Sequence, residues 1–511
     1  MKQAQPDSGG TVGASLWGLR RPSGPLPKNY RWIALTNTTI GAFMSSLDAS
    51  ILTVSLPTVA RDLHIGVALM LWILMGYTVV LTALLLPIGR LADLHGRVRF
   101  YLLGFIIFTI GSAFSGMAMT GVMLLMGRLV QGVGASLVWS NSMAILTDAF
   151  PPRQRGLALG INQVAALSGS LGGLLLGGII TMTLGWRWIF FVNLPIGTFG
   201  AIWTYYGLRE LGQRGKPEPF DYAGLATVIG GVVSILLALT EVVQGDTGPI
   251  VPGLLVLGLS LLALFLFLER RTPSPLLDLG LFAERAFSFG NAALFMNALA
   301  QGALMFLLTF AFQGMLGASP LRAGLLLFPF TGSVLLVAPV SGAVSDRVGP
   351  RWLASGGLLV AAVAFFALSG VPVTGPYLPI AVGMIFAGFG TGLFNSPNTS
   401  AIMSAVPAAR RGVAAAIRSF LFNSGQVLSI ALAFSVVSTT MGASHLTAFM
   451  SGAAANSSSA EAGAFGRGLH IALLLSAALS GGGAILSFLR SGRTHATGSR
   501  ARTDWESATA P

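Results

Sequence analysis

The stretch Leu47-Asp-Ala-Ser-Ile-Leu-Thr-Val-Ser-Leu-Pro57 ends an apolar run that begins at Trp32, and it places a carboxylate inside that run. Asp48 precedes Pro57 by nine residues, which is ~13 Å along a helix that rises ~1.5 Å per residue. That depth is close to the middle of a bilayer, where an ionisable group faces other helices or a wet cavity. Asp48 is therefore predicted to be a proton site beside a solute path; the alternative is a permanently neutral structural acid.

The composition of the chain indicates an all-α polytopic membrane protein. Hydrophobic residues make up 53% of its 511 residues and charged residues 9%, against about 25% charged residues in soluble domains. The mean hydropathy is +0.76, and apolar runs of about twenty residues, the length of a membrane helix, recur along the chain. Because these runs do not alternate between polar and apolar residues, the pattern argues against a transmembrane β-barrel.

Fourteen membrane spans are predicted, near residues 32–58, 69–93, 100–118, 121–148, 157–184, 188–209, 222–241, 250–269, 286–313, 321–345, 351–370, 378–405, 412–441 and 468–489. With the N-terminus inside, Lys and Arg number 24 on the cytoplasmic side and 4 outside. Positive charge marks the cytoplasmic side, so both termini are predicted to be cytoplasmic. The net charge of +13 is then a topology signal, and no nucleic-acid partner is expected.

Two pairs of similar motifs indicate an internal repeat. Gly132-x-Gly134 matches Gly388-x-Gly390, and the run 89–96 matches the run 342–349. The matching spans are eight apart instead of six, so two spans are inserted between two repeated units, an architecture found in transporters. The predicted division is a cytoplasmic tail at 1–31, a six-helix bundle at 32–210, two inserted helices with flanking loops at 211–285, a second six-helix bundle at 286–489 and a cytoplasmic tail at 490–511.

Four motifs carry a family resemblance. They are the run 47–57, the loop Gly-Arg-Leu-Ala-Asp-Leu-His-Gly-Arg at 89–97, Arg-Leu-Val-Gln-Gly-Val-Gly-Ala at 128–135, and Trp-Arg-Trp-Ile-Phe-Phe-Val-Asn-Leu-Pro-Ile-Gly at 186–197. In this order they resemble the major facilitator superfamily, in its fourteen-helix drug–proton antiporter branch. The resemblance implies proton-coupled efflux of lipophilic drug-like or antibiotic-like compounds through the cytoplasmic membrane, by alternating access.

The fifth span departs from that branch at one position. The family motif Gly-x-x-x-Gly-Pro-x-x-Gly-Gly appears with its glycines as Gly169, Gly173, Gly177 and Gly178, but with Leu174 in place of proline. Proline bends a helix and removes a backbone donor, whereas leucine does neither. The glycines still permit close helix packing, so the packing role is kept and the inference to antiport is weakened.

Charged residues in and beside the spans are candidates for coupling and gating. Arg128 lies deep in the fourth span, where it needs a partner, either Asp48 or backbone groups. Asp48 and Arg128 are therefore predicted to carry proton coupling. Clustered charges in the repeated loop motif are predicted to join helix ends and to hold one access state closed, although they also anchor topology. These gating candidates are Arg90, Asp93, Arg97, Asp346 and Arg347.

Polar and aromatic residues within the spans are candidates for the wall of a substrate cavity, because such side chains suit mixed organic molecules. The predicted cavity residues are Tyr77, Gln131, Trp139, Asn141, Gln163, Asn297, Gln301, Asn395, Asn398, Arg418, Asn423 and Gln426. For each one singly, a hydrogen bond between packed helices is the alternative. Arg418 has a second alternative, in which its side chain extends to the inner membrane surface.

Catalytic chemistry finds no support in the sequence. The chain has no cysteine and five scattered histidines, and no metal-ligand spacing or phosphate-binding glycine loop is present. No enzyme activity, metal or cofactor is therefore expected. The predicted partners are the lipid bilayer, protons and a lipophilic small molecule, and the chain is expected to be a monomer. Two alternatives to efflux are a facilitator or importer of an endogenous metabolite, and a membrane receptor that transports nothing.

Overall fold

The computed structural model describes residues 27–151, 154–211, 221–244, 248–272, 276–277, 279–407, 411–442, 445–446 and 459–490. The first set of helices is α1 (Tyr30–Asp62), α2 (Val67–His95), α3 (Arg97–Gly116), α4 (Gly121–Ala149), α5 (Arg155–Thr183), α6 (Trp188–Phe191) and α7 (Asn193–Gly207). An inserted pair follows, α8 (Tyr222–Gln244) and α9 (Ile250–Glu269). The second set is α10 (Arg285–Gln301), α11 (Leu304–Phe310), α12 (Pro320–Val348), α13 (Pro350–Ser369), α14 (Tyr377–Ser404), α15 (Arg411–Met441) and α16 (Ser459–Leu489).

The all-helical membrane fold predicted from composition is confirmed. Among the described residues, 13 helices are long and apolar enough to cross a membrane. The predicted sixth span, 188–209, consists of the two short helices α6 and α7, which Val192 separates, so the count of fourteen stays a prediction, as does the side on which the termini lie. The last helix begins at Ser459, ahead of the predicted start at 468, because the alanines there favour a helix.

Short polar side chains set the start of two long helices. The Thr120 hydroxyl accepts from the backbone N–H of Met123 at 3.2 Å and caps α4. At the start of α12, the Ser319 hydroxyl accepts from the backbone N–H of Arg322 at 3.3 Å. Pro320 follows Ser319 as the first residue of α12, where its missing N–H costs nothing.

The repeated glycines occupy equivalent positions in the two sets. A Cβ atom on Gly132 would collide with the backbone of α2, and one on Gly388 would collide with the backbone of α12. Two residues further on, Gly134 and Gly390 pack against the backbones of α3 and α13. Helices that approach this closely need a residue without a side chain, so the repeat seen in the sequence is a repeat of helix packing.

The loop motif also repeats its backbone conformation. Gly96 follows α2 with φ of 114°, and Gly349 follows α12 with φ of 90°. Residues with a Cβ atom rarely adopt such angles, so glycine is required at both positions. Each glycine turns the chain directly into the next long helix, α3 or α13.

The two sets meet at the end of the molecule where α12 begins, which is the predicted outer end. Gly178 of α5 packs against the backbone of α12, and Gly324 of α12 packs against the Leu174 carbonyl of α5. Beside them, the side-chain amide of Gln313, in a short π-helical segment (Ala311–Met315), donates to a backbone carbonyl of α1 at 2.9 Å. One cluster of buried apolar residues joins both sets here.

Buried apolar residues at the opposite end form separate clusters. One cluster contains side chains of α1, α2, α3 and α4. Another contains side chains of α10, α14 and α15 together with the inserted pair. Among the described residues, no buried cluster at this end combines the first set with the second. The two sets are therefore joined at the predicted outer end and packed independently at the predicted inner end.

The inserted pair lies against the second set and beside the first. The hydroxyls of Ser435 and Ser438 in α15 donate to backbone carbonyls of α8 at 3.1 and 3.3 Å. Residues of α2, α8 and α15 line one small apolar cavity, among them Val79, Val228 and Val427. Many side chains of α9 are exposed. Helix α8 therefore fills the seam between α2 and α15, and α9 faces outward from it.

A leucine at Gly178 is expected to hold the outer ends of the two sets apart, because the close contact of this glycine is with α12. Since the chain lacks cysteine, spin labels can be attached after Met182→Cys and Leu316→Cys, two exposed outer positions. Gly178→Leu should add a longer distance between the labels. Gly172→Leu is the matched control, because Gly172 of the same helix has open space around it. Equal distances in both variants would contradict this contact's role.

Candidate functional site

A buried ion pair lies at the centre of the first set. Asp48 is 0% exposed and Arg128 is 1% exposed. Arg128 Nη1 donates to Asp48 Oδ2 at 2.6 Å. The second carboxylate oxygen, Oδ1, accepts from Gln131 Nε2 at 3.0 Å and from Asn193 Nδ2 at 2.7 Å. Three donors from α4 and α7 thus converge on one carboxylate of α1.

The Arg128 guanidinium is fixed on several sides. Its Nη1 also donates to Gln131 Oε1 at 3.0 Å, and its Nε donates to the Ile73 carbonyl at 3.4 Å. The guanidinium lies 4.4 Å from the centre of the Tyr77 ring, where a cation is attracted by the aromatic face. These contacts hold the positive charge in one place, so Asp48 faces a fixed cation.

An outer layer of hydroxyls supports the two amides. Asn193 Nδ2 also donates to Ser112 Oγ at 3.1 Å, and Ser112 Oγ donates to the Phe190 carbonyl at 2.8 Å. The Ser115 hydroxyl donates to Gln131 Oε1 at 3.4 Å. Ser112 and Ser115 belong to α3, and both are buried. The network therefore joins α1, α3, α4, α6 and α7, and Tyr77 adds α2.

The network around Asp48 suits an ionised carboxylate next to a charged guanidinium. With Asp48 ionised, the pair carries no net charge, and its oxygens are satisfied by donors. A proton on Asp48 would leave the buried Arg128 charge without its counter-ion. An unpaired charge in a protein interior costs several kcal/mol. The buried site therefore favours the two charges together over either one alone.

Several of the predicted cavity residues lie inside the packing of their own set. Asn141 Nδ2 donates to the Leu137 carbonyl of its own helix at 2.8 Å. Asn398 Nδ2 donates to the Gly290 carbonyl at 3.0 Å, and its Oδ1 accepts from Arg490 at 2.9 Å. Gln131 belongs to the buried network around Asp48. Asn141, Asn398 and Gln131 therefore form hydrogen bonds within and between packed helices. This is the alternative to a place in the cavity wall.

Other predicted cavity residues carry polar atoms without a partner. Three of them have buried atoms that form no hydrogen bond within the described protein: both polar atoms of Asn297, Asn395 Oδ1 and Arg418 Nε. The Tyr77 hydroxyl is buried near Ser45. Unpaired buried polar groups mark places where water or a ligand can bind. Trp139, Asn423 and Gln426 are half-buried, Gln301 is buried next to the close approach of Gly302 to α15, and Gln163 is exposed.

The predicted gating charges have different surroundings. Arg97 Nη1 lies 2.7 Å from Asp148 Oδ2, which ties the start of α3 to the end of α4 within the first set. Arg90 interacts electrostatically with Glu269 at the end of α9. Arg347 is exposed in the last turn of α12. The side chains of Asp93 and Asp346 lie outside the described part of the structure.

The fifth-span motif divides its glycines between two neighbours. Gly169, Gly173 and Gly177 pack against backbone atoms of α1, whereas Gly178 packs against α12. Leu174 is buried, and α5 is one continuous helix from Arg155 to Thr183. The glycines therefore serve close packing, and α5 is not interrupted at the position where the family pattern has proline.

Three buried polar residues were not predicted as functional from the sequence: Asn193, Ser112 and Arg490. Asn193 belongs to the motif at 186–197, where it is an amide in an otherwise apolar stretch before Leu194-Pro195. A polar residue in such a stretch was the one sequence feature that could have indicated its role. Burial and the nearby charge of Arg351 lower the pKa of Arg490 to about 10, which leaves Arg490 charged at neutral pH. Among the described residues, no group of three His, Asp or Glu side chains could hold a metal ion.

The sequence matches a family model and several named proteins over most of its length. The family model of the Major Facilitator Superfamily matches residues 38–430 and 290–504. The riboflavin transporter RibZ of Clostridioides difficile is 34% identical over 388 residues, which cover 75% of this chain and 83% of RibZ. The multidrug resistance protein Stp of Mycobacterium tuberculosis is 32% identical over 413 residues, 80% of this chain and 76% of Stp.

The fold is also found among solved structures. A bacterial homologue of the human lysosomal transporter Spinster, in an inward-facing and unoccupied conformation, superposes with a TM-score of 0.65 at 18% identity. The superposition covers 91% of this chain and 97% of the other. At this identity the likeness shows the fold alone.

Removal of one partner of the buried pair is expected to destabilise the protein by about 3–5 kcal/mol, because the other partner is left uncompensated. Asp48→Asn and Arg128→Gln can be measured singly and together by SDS-induced unfolding in mixed micelles. The double variant should lose less than the sum of the single losses. The control is the pair Arg97–Asp148, in which each side chain is 26% exposed, and its removal should cost at most about 1 kcal/mol. Additive losses at Asp48 and Arg128 would contradict a tight coupling between them.

Proposed function

Because the chain belongs to the major facilitator superfamily and is a multi-pass protein of the cell membrane, we propose that it exports lipophilic organic compounds in exchange for protons. One of its relatives is named a riboflavin transporter and another a multidrug resistance protein. The observation that carries the proposal is the ion pair of Asp48 and Arg128, which is fully buried in the first set of helices. A purely structural frame does not need such a pair, since apolar residues of similar volume are as stable or more so.

Proton coupling would act through the charge of this pair. While Asp48 is ionised, the pair is neutral and can remain dry. When Asp48 binds a proton, Arg128 becomes a buried cation, and the arrangement that hydrates it is favoured. Asp48 and Arg128 are thus the proposed coupling residues. Proton binding to Asp48 would then shift the equilibrium between the two access states.

Alternating access would use the two sets of helices as moving bodies. The first body is the bundle at 32–210 and the second is the bundle at 286–489. Contacts of α5 with α12 close the predicted outer end, and the apolar clusters of the two sets are separate at the inner end. With both termini in the cytoplasm, this arrangement is inward-facing. A substrate would therefore enter from the cytoplasm or the inner leaflet.

The charges at the inner end are proposed to control closure. Arg90 interacts electrostatically with Glu269 of the inserted pair, and this interaction would change if the first set moves. Arg97 is held by Asp148 of the same set, and it would keep the α3–α4 corner rigid. Asp93, Asp346 and Arg347 complete the proposed gating group, by their positions in the repeated loop motif.

The substrate is proposed to bind among the unpaired polar groups of the second set and the half-buried side chains near the interface. Asn297, Asn395 and Arg418 offer donors and acceptors without protein partners, and Trp139 offers a half-buried ring. A few polar groups in an apolar wall suit mixed organic molecules. Arg418 brings a positive charge, which favours neutral or anionic lipophiles. One chain holds all of these residues, so a monomer would suffice.

A second candidate function is transport of an endogenous metabolite. The relative RibZ, which is 34% identical, is named a riboflavin transporter, and Leu174 departs from the antiporter pattern. To separate the two, purified protein in proteoliposomes would be given a panel of fluorescent lipophilic compounds and, in parallel, riboflavin. Export is supported if lipophilic compounds move against their gradient when a pH gradient is imposed. Movement of riboflavin alone would favour the metabolite transporter.

Asp48→Asn is expected to abolish uphill transport driven by a pH gradient, because the amide cannot titrate. Exchange of a neutral substrate down its own gradient should persist, since the amide keeps the size of the side chain. Both rates are measured in proteoliposomes, at equal amounts of folded protein. Asp62→Asn is the control, since Asp62 lies on the same helix but is about half-exposed and bonds Arg187. Full uphill transport by Asp48→Asn would overturn the coupling role.

A further inference from the structure

We propose that Asn193 reads the protonation state of Asp48, by donating to the ionised carboxylate and by turning its amide to accept from the protonated carboxyl. This inference rests on the proposed proton coupling at Asp48. Asn193 would be a positioning residue, because it does not carry the proton itself. When Asp48 of α1 binds a proton, the turned amide would alter the hydrogen bonds at the junction of α6 and α7.

The first observation is an unused acceptor beside the carboxylate. Asn193 is 0% exposed, and its Oδ1 is a buried atom without a hydrogen-bond partner. The opposite end of the same amide is fully used, since Nδ2 donates to Asp48 Oδ1 at 2.7 Å and to Ser112 Oγ at 3.1 Å. Buried polar atoms without a partner are uncommon and costly. In the ionised state, therefore, the amide leaves one acceptor unsatisfied.

The place of the proton follows from the donors around Asp48. Oδ2 lies 2.6 Å from the Arg128 guanidinium, a group that stays charged and cannot accept a hydrogen bond. Oδ1 faces only the two amides, Gln131 and Asn193. A proton is therefore tolerated on Oδ1 and not on Oδ2. The hydroxyl of the protonated Asp48 then needs a hydrogen-bond acceptor, but the amides of Gln131 and Asn193 both present N–H groups to Oδ1.

Asn193 is better able to supply that acceptor than Gln131. The Gln131 oxygen already accepts from Arg128 at 3.0 Å and from Ser115 at 3.4 Å, so turning this amide would break both contacts. Turning Asn193 breaks the donation of its Nδ2 to Asp48 and Ser112, but both of these partners can donate to the oxygen that takes its place, and that oxygen has no partner to lose. A half-turn of the amide places Oδ1 where Nδ2 was, within reach of Asp48 Oδ1. The rotation keeps the shape of the side chain, because the two ends of an amide are nearly equal in size.

The turned amide would also affect Ser112. In the described state, the Ser112 hydroxyl accepts from Asn193 and donates to the Phe190 carbonyl at 2.8 Å. Once Asn193 presents an oxygen, the hydroxyl satisfies it by rotating away from Phe190. The Phe190 carbonyl then loses this donor from α3. Phe190 belongs to the four-residue helix α6, and Asn193 begins α7 after the break at Val192. The proton on Asp48 would thus loosen α6 from α3.

The charged and titratable neighbours of Asp48 are few. From α4 it faces Arg128, and from α2 it faces Tyr77, whose ring lies under that guanidinium. From α7 it faces Asn193, and Ser112 and Ser115 of α3 contact the two amides and not the carboxylate; none of these three is charged. Arg128 keeps its charge in both states, and Tyr77 is far from titration at neutral pH. A response of Asn193 to pH therefore reports the proton on Asp48.

The test uses infrared difference spectra of the full-length protein in proteoliposomes, recorded across a pH titration. The band of the protonated Asp48 carboxyl is identified by its loss in Asp48→Asn. Gln131→Leu removes a donor to the ionised carboxylate that cannot turn to accept without losing Arg128 and Ser115, so the titration midpoint should rise by about one pH unit. Asn193→Leu removes a partner of both forms. Its midpoint should stay near that of the unaltered protein, while the carbonyl band moves to higher frequency because the hydroxyl has lost its acceptor.

Two results would overturn the inference. If Asn193→Leu raises the midpoint as Gln131→Leu does and leaves the band in place, Asn193 is only a donor to the ionised form. If no carboxyl band titrates in the unaltered protein and Asp48→Asn still transports uphill, proton coupling at Asp48 fails, and the amide switch fails with it. The first result leaves coupling intact, so the two failures are distinguishable. Asn193→Ala, which adds no bulk, replaces Asn193→Leu if that variant does not insert.

Discussion

The contact of Asp48 with Arg128 is the constraint on which the first set of helices depends. Neither charge is tolerated in a membrane interior unless the other is present at hydrogen-bond distance. This requirement fixes the height and rotation of α1 against α4. The amides of Gln131 and Asn193 then satisfy the remaining lone pairs, which fixes α7 as well. A single electrostatic need therefore determines how these helices face one another.

Close backbone packing is the second constraint, and it works at the level of the whole fold. The matched glycines allow α4 of the first set and α14 of the second set to pack closely on their neighbours. Gly178 allows the same close packing between the two sets. The hydrophobic effect does not favour contact between two helices in lipid, because lipid tails are as apolar as the side chains. Close van der Waals packing therefore supplies much of the free energy of helix association. The outer contact between α5 and α12 is held in this way, and it involves few strong polar bonds that would have to break during a change of access.

Sequence alone predicted the features that carry a large energetic signal. A charge in an apolar run is such a signal, so Asp48 and Arg128 were found, and repeated glycines revealed the repeat. Amides give a weaker signal, because they occur both in cavities and between packed helices. Asn398 was assigned to the cavity and lies within the packing, while Asn193 was overlooked. Depth in a span follows from counting residues, but the direction in which a side chain points follows from the neighbouring helices, and one sequence does not give them.

The inserted pair has a consequence for the surface that the molecule offers to the bilayer. In a bundle of two repeated halves, two lateral seams lead from lipid to the interior, one on either side. Here α8 occupies the seam between α2 and α15, and α9 lies outside it. Among the described residues, the inserted pair does not pack on α5 or α12. The protein is therefore asymmetric about the membrane normal, with one side shut by its own chain. Under the proposed efflux, a solute in the inner leaflet would therefore reach the interior on the side of α5 and α12, and the side covered by α8 would be free to pack against other proteins of the membrane.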